Sequence, residues 1–351
     1  MRFQFYSMPG RLTALACLAI PALGCVPAAL PVALGPSRDC VRLVETRQLM
    51  GVPWTITLHA EQEVAGKSAL AAAFNEVARL EEILSDYKPH SELSLLSTRV
   101  QLPATLPVSD DLCRVLTRAV EIRDATGGAF DPTVGPLTTL WRQSRRSGQL
   151  PRSDKLLAAR AAVGRDALLL DSVKKEVTLT RAGMRLDLGG IGMGYAIDRA
   201  MDVLAGHGIK AAMIDASGDI AVSHAPPGST GWRIAMAPLG KTQDQPVAQH
   251  LLLTNAAVTT SGDAFQSVEI NGTRYSHIVD PRTGIGVVGQ TAVTVIAPDC
   301  TTADALATAA SVLGPSAGLA AVAATPGCAA RFVWKEGGEV RSAQSPRWPV
   351  H

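Results

Sequence analysis

Apolar and polar residues alternate one by one over positions 41–48 and 54–60, the period of a half-buried β-strand, with Met50–Gly51 as the kink between two antiparallel strands. The period then changes. Leu70, Phe74, Val77, Leu80 and Leu84 recur at three- and four-residue spacing, which predicts an amphipathic helix over 65–84 laid against a sheet. Residues 85–97 are polar and turn-rich, 110–126 return to helical spacing, and 127–136, with two prolines, read as an irregular loop. Helical spacing resumes over 137–142 and 155–163.

Beyond this point short strands dominate, predicted at 167–171, 176–180 and 184–188, the last leading into a glycine cluster and a helix over 195–206. Further strands follow at 211–215, 220–223, 232–237, 249–254, 256–260, 274–279 and 291–296. Helices over 302–313 and 316–324 and a hairpin of 331–334 with 339–342 close the chain. Strands outnumber helices and neighbours can pair as hairpins, so the expected fold class is α+β with largely antiparallel sheets packed by helices.

The ends change the picture by adding an export signal over 1–25. Arg2 and Arg11 flank its start, an apolar run over 12–23 follows, and small residues with Cys25 close it. The run is too short to span a bilayer. Ala22, Leu23, Gly24 and Cys25 resemble a degraded lipobox, where bacterial lipoproteins are cleaved and acylated on cysteine; ordinary cleavage near 26–29 is the rival reading. Either route puts the mature chain in the periplasm, and the expectation is a lipoprotein anchored to a bacterial membrane. The Pro-rich stretch 26–40 is then a tether and 41–345 a single folded domain.

A net charge of +2 gives no reason to expect a polyanionic partner, so nucleic acid is excluded as a working idea. Cys40, Cys113, Cys300 and Cys328 outlast the signal; they form no CxxC pair and no zinc spacing. A Cys300–Cys328 disulfide and four buried free thiols both stay open.

Candidate chemistry concentrates in five segments. In LDLGGIGMGYAID (186–198), Gly189, Gly190, Gly192 and Gly194 precede a helix, where absent Cβ atoms and positive φ would let amides face a phosphate. A tight strand-to-helix turn packed on neighbouring backbone explains the same cluster. Asp304 and Thr308 lie four apart on a helix and put two hard oxygens on one face, a pattern that suits Mg²⁺ and equally a helix-end charge with a core hydroxyl. In SHIVDPRTG (276–284), His277 borders a turn as a proton acceptor, while Asp280 and Arg282 brace the loop. GAFDPTVGPL (128–137) sets Asp131 beside a proline, as a ligand-contacting loop or a rigid corner, and for Tyr87 in LSDYKPHSEL stacking on a planar ligand competes with ordinary surface packing.

In this order, with Met50–Gly51, DASGDI (215–220), TTSGD (259–263) and the TADALAT segment, these blocks resemble the ApbE family of FAD:protein FMN transferases over nearly all of 50–314. The resemblance implies a fold related to the T-fold, and a protein that binds FAD as substrate with Mg²⁺. It implies transfer of FMN through a phosphoester bond to a threonine or serine of a target flavoprotein, with release of AMP. By position it assigns metal ligation to the Gly190 carbonyl, Asp304 and Thr308, and proton abstraction to His277. Met50, Tyr87, Ala129, Phe130, Asp131, Asp187, Met193 and Ile278 match positions lining the FAD site. Met193 stands where many members carry lysine, and Ser217 where many carry glycine. An FAD pyrophosphatase, a flavin-binding lipoprotein without turnover and a Rossmann dehydrogenase remain alternatives; the last is disfavoured by GxGxG spacing and the lack of a βαβ series.

Overall fold

The β-branched and aromatic alternation at the start of the domain produces the longest hairpin of the molecule, β1 (Val41–Leu49) and β2 (Val52–Ala60), whose inward residues Trp54, Ile56 and Leu58 are fully buried. The structure, a computed structural model, describes residues 40–98, 101–236, 250–262 and 266–349. The export signal and all but the last residue of the tether lie outside them.

The chain continues through α1 (Glu63–Leu84), α2 (Glu92–Thr98), β3 (Ala104–Pro107), α3 (Asp110–Ala125), α4 (Gly135–Ser147) and α5 (Ser153–Ala161). Then come β4 (Leu168–Asp171), β5 (Glu176–Leu179), α6 (Gly192–Gly206), β6 (Ala211–Ala216), β7 (Asp219–Val222), β8 (Trp232–Ala235), β9 (His250–Leu253) and β10 (Ala256–Gly262). The last elements are β11 (Ser267–Ile270), β12 (Thr273–Val279), β13 (Gly286–Val288), β14 (Thr291–Ala297), α7 (Cys300–Ala324), β15 (Ala329–Glu336) and β16 (Glu339–Gln344).

Eight strands form one sheet in the order β1-β2-β6-β7-β10-β14-β15-β16, every neighbouring pair antiparallel. The expected α+β, largely antiparallel class is therefore observed. Helices α1, α6 and α7 cover one face, where Phe74, Leu80, Ile197, Val293 and Phe332 join the β2 residues in the main core. The opposite face is partly covered by the β8–β9 hairpin through Trp232, Ile234 and Leu251. A smaller sheet, β11-β12-β13, packs on α4 and α5, and the buried Trp141 indole donates to the Ser276 carbonyl at 2.8 Å. The indole has to donate there because a buried N–H without a partner is costly.

Several expectations change. Residues 184–188 form no strand; Arg185 makes one isolated bridge to Val134, and the Asp187 amide donates to Pro132. This segment pairs with the 127–134 loop instead of a sheet, so its apolar alternation reflects two-sided burial. The stretch expected to be turns through 97 ends in α2, which buries Leu93 and Leu96. Strands β3, β11 and β13 are too short to carry a period. Helix α6 starts three residues before the position expected from its side chains, because glycine leaves no apolar signature there. The expected break between two C-terminal helices is present: Gly314 has φ 78 and Pro315 follows, so α7 is two helices meeting at a corner. All four described cysteines are free; Cys113, Cys300 and Cys328 are buried, as the buried-thiol reading expects, and Cys40 is half-buried.

Phe332 is fully buried between the sheet and the second half of α7, where its ring abuts Gly318. Phe332→Ala is expected to cost about 3–5 kcal/mol, read as a lowered urea midpoint with an unchanged slope.

Candidate functional site

The site is built where two helix N-termini meet. Helix α6 follows the glycine cluster and α7 follows β14, and they approach so closely that a Cβ on Gly194 would overlap the Cys300 carbonyl. Each helix caps the other. Asp198 of α6 accepts from the Cys300 and Thr301 amides, both at 2.8 Å, and from the Thr301 hydroxyl. Asp304 of α7 accepts from the Gly194 amide at 3.2 Å. Orphan N–H groups of two first turns are thus satisfied by carboxylates from the facing helix.

None of Gly189, Gly190, Gly192 and Gly194 has a positive φ, so the expectation of left-handed backbone there is corrected. What requires glycine is close approach. At Gly190 a Cβ would lie 2.7 Å from the Thr308 hydroxyl oxygen, and at Gly194 it would enter α7. The packed-turn reading therefore explains Gly194, whereas Gly190 is brought against one of the residues assigned with it to a metal.

Asp304 is 5% exposed, and burial pushes its carboxyl up to about 7, reinforced by the charge on Asp198 and opposed by the Gly194 amide. Asp219, the first residue of β7, lies close enough for the two acids to repel. Burial and Asp304 push its carboxyl well up, while the Thr259 hydroxyl, across the β7–β10 register, favours ionisation. Among the described residues, no lysine or arginine forms an ion pair with either acid. A buried acid and a half-buried one with no counter-ion among the described residues, a hydroxyl one turn along α7 and a glycine backbone against it form an all-oxygen donor set. That chemistry fits a hard divalent ion such as Mg²⁺ and not zinc. Burial and the Asp198, Asp219 and Asp304 charges also raise the Cys300 thiol, leaving it protonated and inert.

A second cluster is compensated. Asp187 accepts from the Gly189 amide at 2.8 Å and the Thr138 hydroxyl at 2.6 Å, and pairs with Arg142 at 3.3 Å. Arg142 also bonds Asp86 at 2.5 Å and stacks over the Tyr87 ring at 4.3 Å. Burial and Asp187 push the Asp86 carboxyl up against the pull of this guanidinium. Tyr87 is 75% exposed, so its ring is open to a ligand on the side away from Arg142.

The other expected residues fall around these two clusters. Asp131 is buried, and its carboxylate accepts from the Thr133 amide and hydroxyl at 2.8 and 2.7 Å; the Pro132 carbonyl ties its loop to Asp187. Ala129 and Phe130 are core residues, 1% and 4% exposed, so only their backbone can face a ligand. Met193 is half-buried on the first turn of α6 against the main core. Met50 sits in the β1–β2 turn at φ 49; the Trp54–Ala216 pairing puts that turn at the same sheet end as the β6–β7 turn before Asp219. Ile278 shares a small cleft with Ser276 and Ser311 of α7. Arg282, paired with Asp280 at 2.9 Å as expected, also reaches the Val312 carbonyl and docks its turn on α7. His277 Nδ1 lies 3.2 Å from the Gln266 carbonyl. A carbonyl only accepts, so Nδ1 carries the proton and Nε2 the lone pair.

The order of these segments and their assembly at one end of the sheet match a known architecture. The ApbE family profile covers residues 50–332. The chain belongs to the ApbE family. A Haemophilus influenzae FAD:protein FMN transferase is 33% identical over 236 residues, 66% of this chain and 68% of that protein. The Vibrio cholerae FAD:protein FMN transferase is 31% identical over 280 residues, 77% of this chain and 81% of that one. The solved flavin transferase ApbE from Vibrio cholerae superposes with a TM-score of 0.79 at 27% identity, covering 88% of this chain and 98% of its own. The apo Pseudomonas stutzeri flavinyl transferase ApbE gives 0.77 at 29%, covering 88% and 95%.

Within this ApbE chain, residue-by-residue reading missed Asp219, Asp198 and Arg142. Asp219 carried a signal, since DASGDI puts a second acid just past a Ser217–Gly218 turn. Ser217 there adopts φ 57, a conformation a glycine would take without strain. Asp198 and Arg142 act through partners 102 and 56 residues away, and no local pattern reports that.

The Gly194–Cys300 approach sets a clear expectation. Gly194→Ala must push α6 off α7 and is expected to destabilise by about 1–3 kcal/mol in urea unfolding. Gly206→Ala at the far end of α6, where a Cβ meets open space, is expected to be neutral or slightly stabilising.

Proposed function

We propose that the chain is a Mg²⁺-dependent FAD:protein FMN transferase, joining FMN from FAD to a threonine or serine of a target flavoprotein and releasing AMP. The relatives named above are named FAD:protein FMN transferases, which supports the transferase part of this reading. The observation that carries the metal-dependent form is the uncompensated pair Asp219 and Asp304, with Thr308 one turn along from Asp304 and Gly190 against that hydroxyl.

Asp304, Thr308 and the Gly190 carbonyl would hold Mg²⁺, with Asp219 as the adjoining acid. When bound, the ion would draw negative charge from the diphosphate oxygens. The protein's own groups do the rest. Tyr87, backed by Arg142, offers a flat face for a ring of the dinucleotide, and the Asp187 and Asp131 loops border it. His277 accepts the proton of the attacking hydroxyl at Nε2. The hydroxyl oxygen bonds to the FMN phosphorus, the bond from that phosphorus to the bridging oxygen breaks, and AMP leaves with the bridging oxygen. Water in place of the protein hydroxyl gives free FMN, so acceptor positioning decides between transfer and hydrolysis.

We also infer that the mature chain works in the periplasm on a lipid-modified Cys25. Mass spectrometry of the mature N-terminus is expected to find a diacylglyceryl cysteine there; an unmodified terminus a few residues on would refute it.

The central test incubates the protein with FAD, Mg²⁺ and an acceptor domain and follows flavin fluorescence on the acceptor in a denaturing gel. Asp304→Ala is expected to lose at least about 100-fold in rate, and undiminished transfer would sink the metal assignment. His277→Ala is expected to lose about 10²–10⁴ in rate while FAD still binds, as read by quenching of flavin fluorescence.

A further inference from the structure

Charge is distributed unevenly along this chain. Residues 142–165, spanning the end of α4 and all of α5, carry seven basic side chains and one acid, Asp154, in a chain whose overall net charge is +2. Three of the bases are committed: Arg142 to Asp86 and Asp187, Arg152 to Asp154, and Arg165 to Asp124. Arg145, Arg146, Lys155 and Arg160 have no acidic partner among the described residues. Arg146, Lys155 and Arg160 are exposed, and between them stand two exposed leucines, Leu150 and Leu157, the latter 70% exposed.

Four unpaired cations within sixteen residues repel one another, and exposed leucine adds to the cost of leaving the surface bare. The surface also borders the reacting groups. Trp141 on α4 bonds the carbonyl of Ser276, the residue before His277. The Arg160 stem and Leu156 flank Gly284, in the turn that follows the His277 strand. Arg142, one turn before Arg145, stacks on Tyr87. A polypeptide lying on this hairpin would therefore pass beside His277.

Resting on the transferase reading, we propose that the α4–α5 surface docks an acidic segment of the acceptor flavoprotein and so delivers its hydroxyl to His277. The charge calls for an acidic partner, and the two leucines suit a polypeptide that brings apolar side chains with its acids. An anionic bilayer seated here would instead cover the approach to His277.

The test compares the unaltered protein with the triple variant Arg146→Glu, Lys155→Glu, Arg160→Glu. The probes are an acceptor domain carrying Asp and Glu beside its threonine and the same domain with those acids changed to Asn and Gln. The reversal is expected to raise KM for the acidic acceptor about tenfold or more at low salt with kcat unchanged. Removing the acceptor's acids should raise KM for the unaltered protein and erase the difference between the two proteins. FAD binding and slow hydrolysis of FAD without acceptor should stay the same. A neutral variant, Arg146→Gln, Lys155→Gln, Arg160→Gln, should fall between and guards against misfolding, checked by its melting temperature.

An unchanged acceptor KM would overturn the proposal. So would an equal loss in FAD binding, which would assign the surface to the dinucleotide, or charge-dependent binding to phosphatidylglycerol vesicles with acceptor KM unmoved. Absence of transfer by the unaltered protein would overturn the functional reading itself, and this surface's role with it.

Discussion

The contact between the Gly194 backbone and the Cys300 carbonyl is the constraint on which the candidate site depends. Because no side chain separates α6 from α7, the turn before one helix and the acidic face of the other are brought together. The mutual capping by Asp198 and Asp304 sets the two helices in register. Gly190 then meets Thr308 without a dedicated interaction, as a consequence of where the helices start. The eight-stranded sheet contributes the second acid in the same indirect way. Antiparallel pairing of β7 with β10 puts Asp219 opposite Thr259, under the start of α7.

The two halves of the site are electrostatically unlike. Around Asp304 and Asp219 burial and mutual repulsion raise two carboxyls, and among the described residues no guanidinium or ammonium offsets them. Around Tyr87 and Asp187 each acid is answered by Arg142 or by backbone amides. A region that keeps unpaired buried acids has its stability tied to what it binds, whereas one already paired is organised in advance. On the function proposed above, the organic part of the dinucleotide would meet the preformed surface and its phosphates the region around the two acids. This division follows from side chains brought by different parts of the chain.

Much of this was legible in the sequence, for identifiable reasons. Helix α1 and strand β2 turn one face to the core, and β1 alternates half-buried with exposed residues, so their periods are clean. The pairing of Asp304 with Thr308 was visible because four residues make one helical turn. The segment 184–188 was misread because a loop buried on two sides and a strand share one pattern. The glycine cluster offers positive φ and close packing as two readings; the structure bears out closeness, and no glycine announces which helix it meets. Asp198 and Arg142 were silent because their meaning lies in residues far along the chain. The ordered blocks identified the family where single motifs would not.

Helix α7 is long and apolar enough, with an 18-residue window of mean hydropathy 1.5, to qualify as a bilayer span by composition. The corner at Gly314 divides it into rods of about 20 and 15 Å, against a hydrocarbon thickness of about 30 Å. If the chain is exported as proposed, it carries near its C-terminus a run that composition alone would mistake for a stop-transfer sequence. The glycine and proline that turn the corner make the run a poor membrane anchor. On that reading the corner would favour complete passage of the polypeptide over arrest within the bilayer.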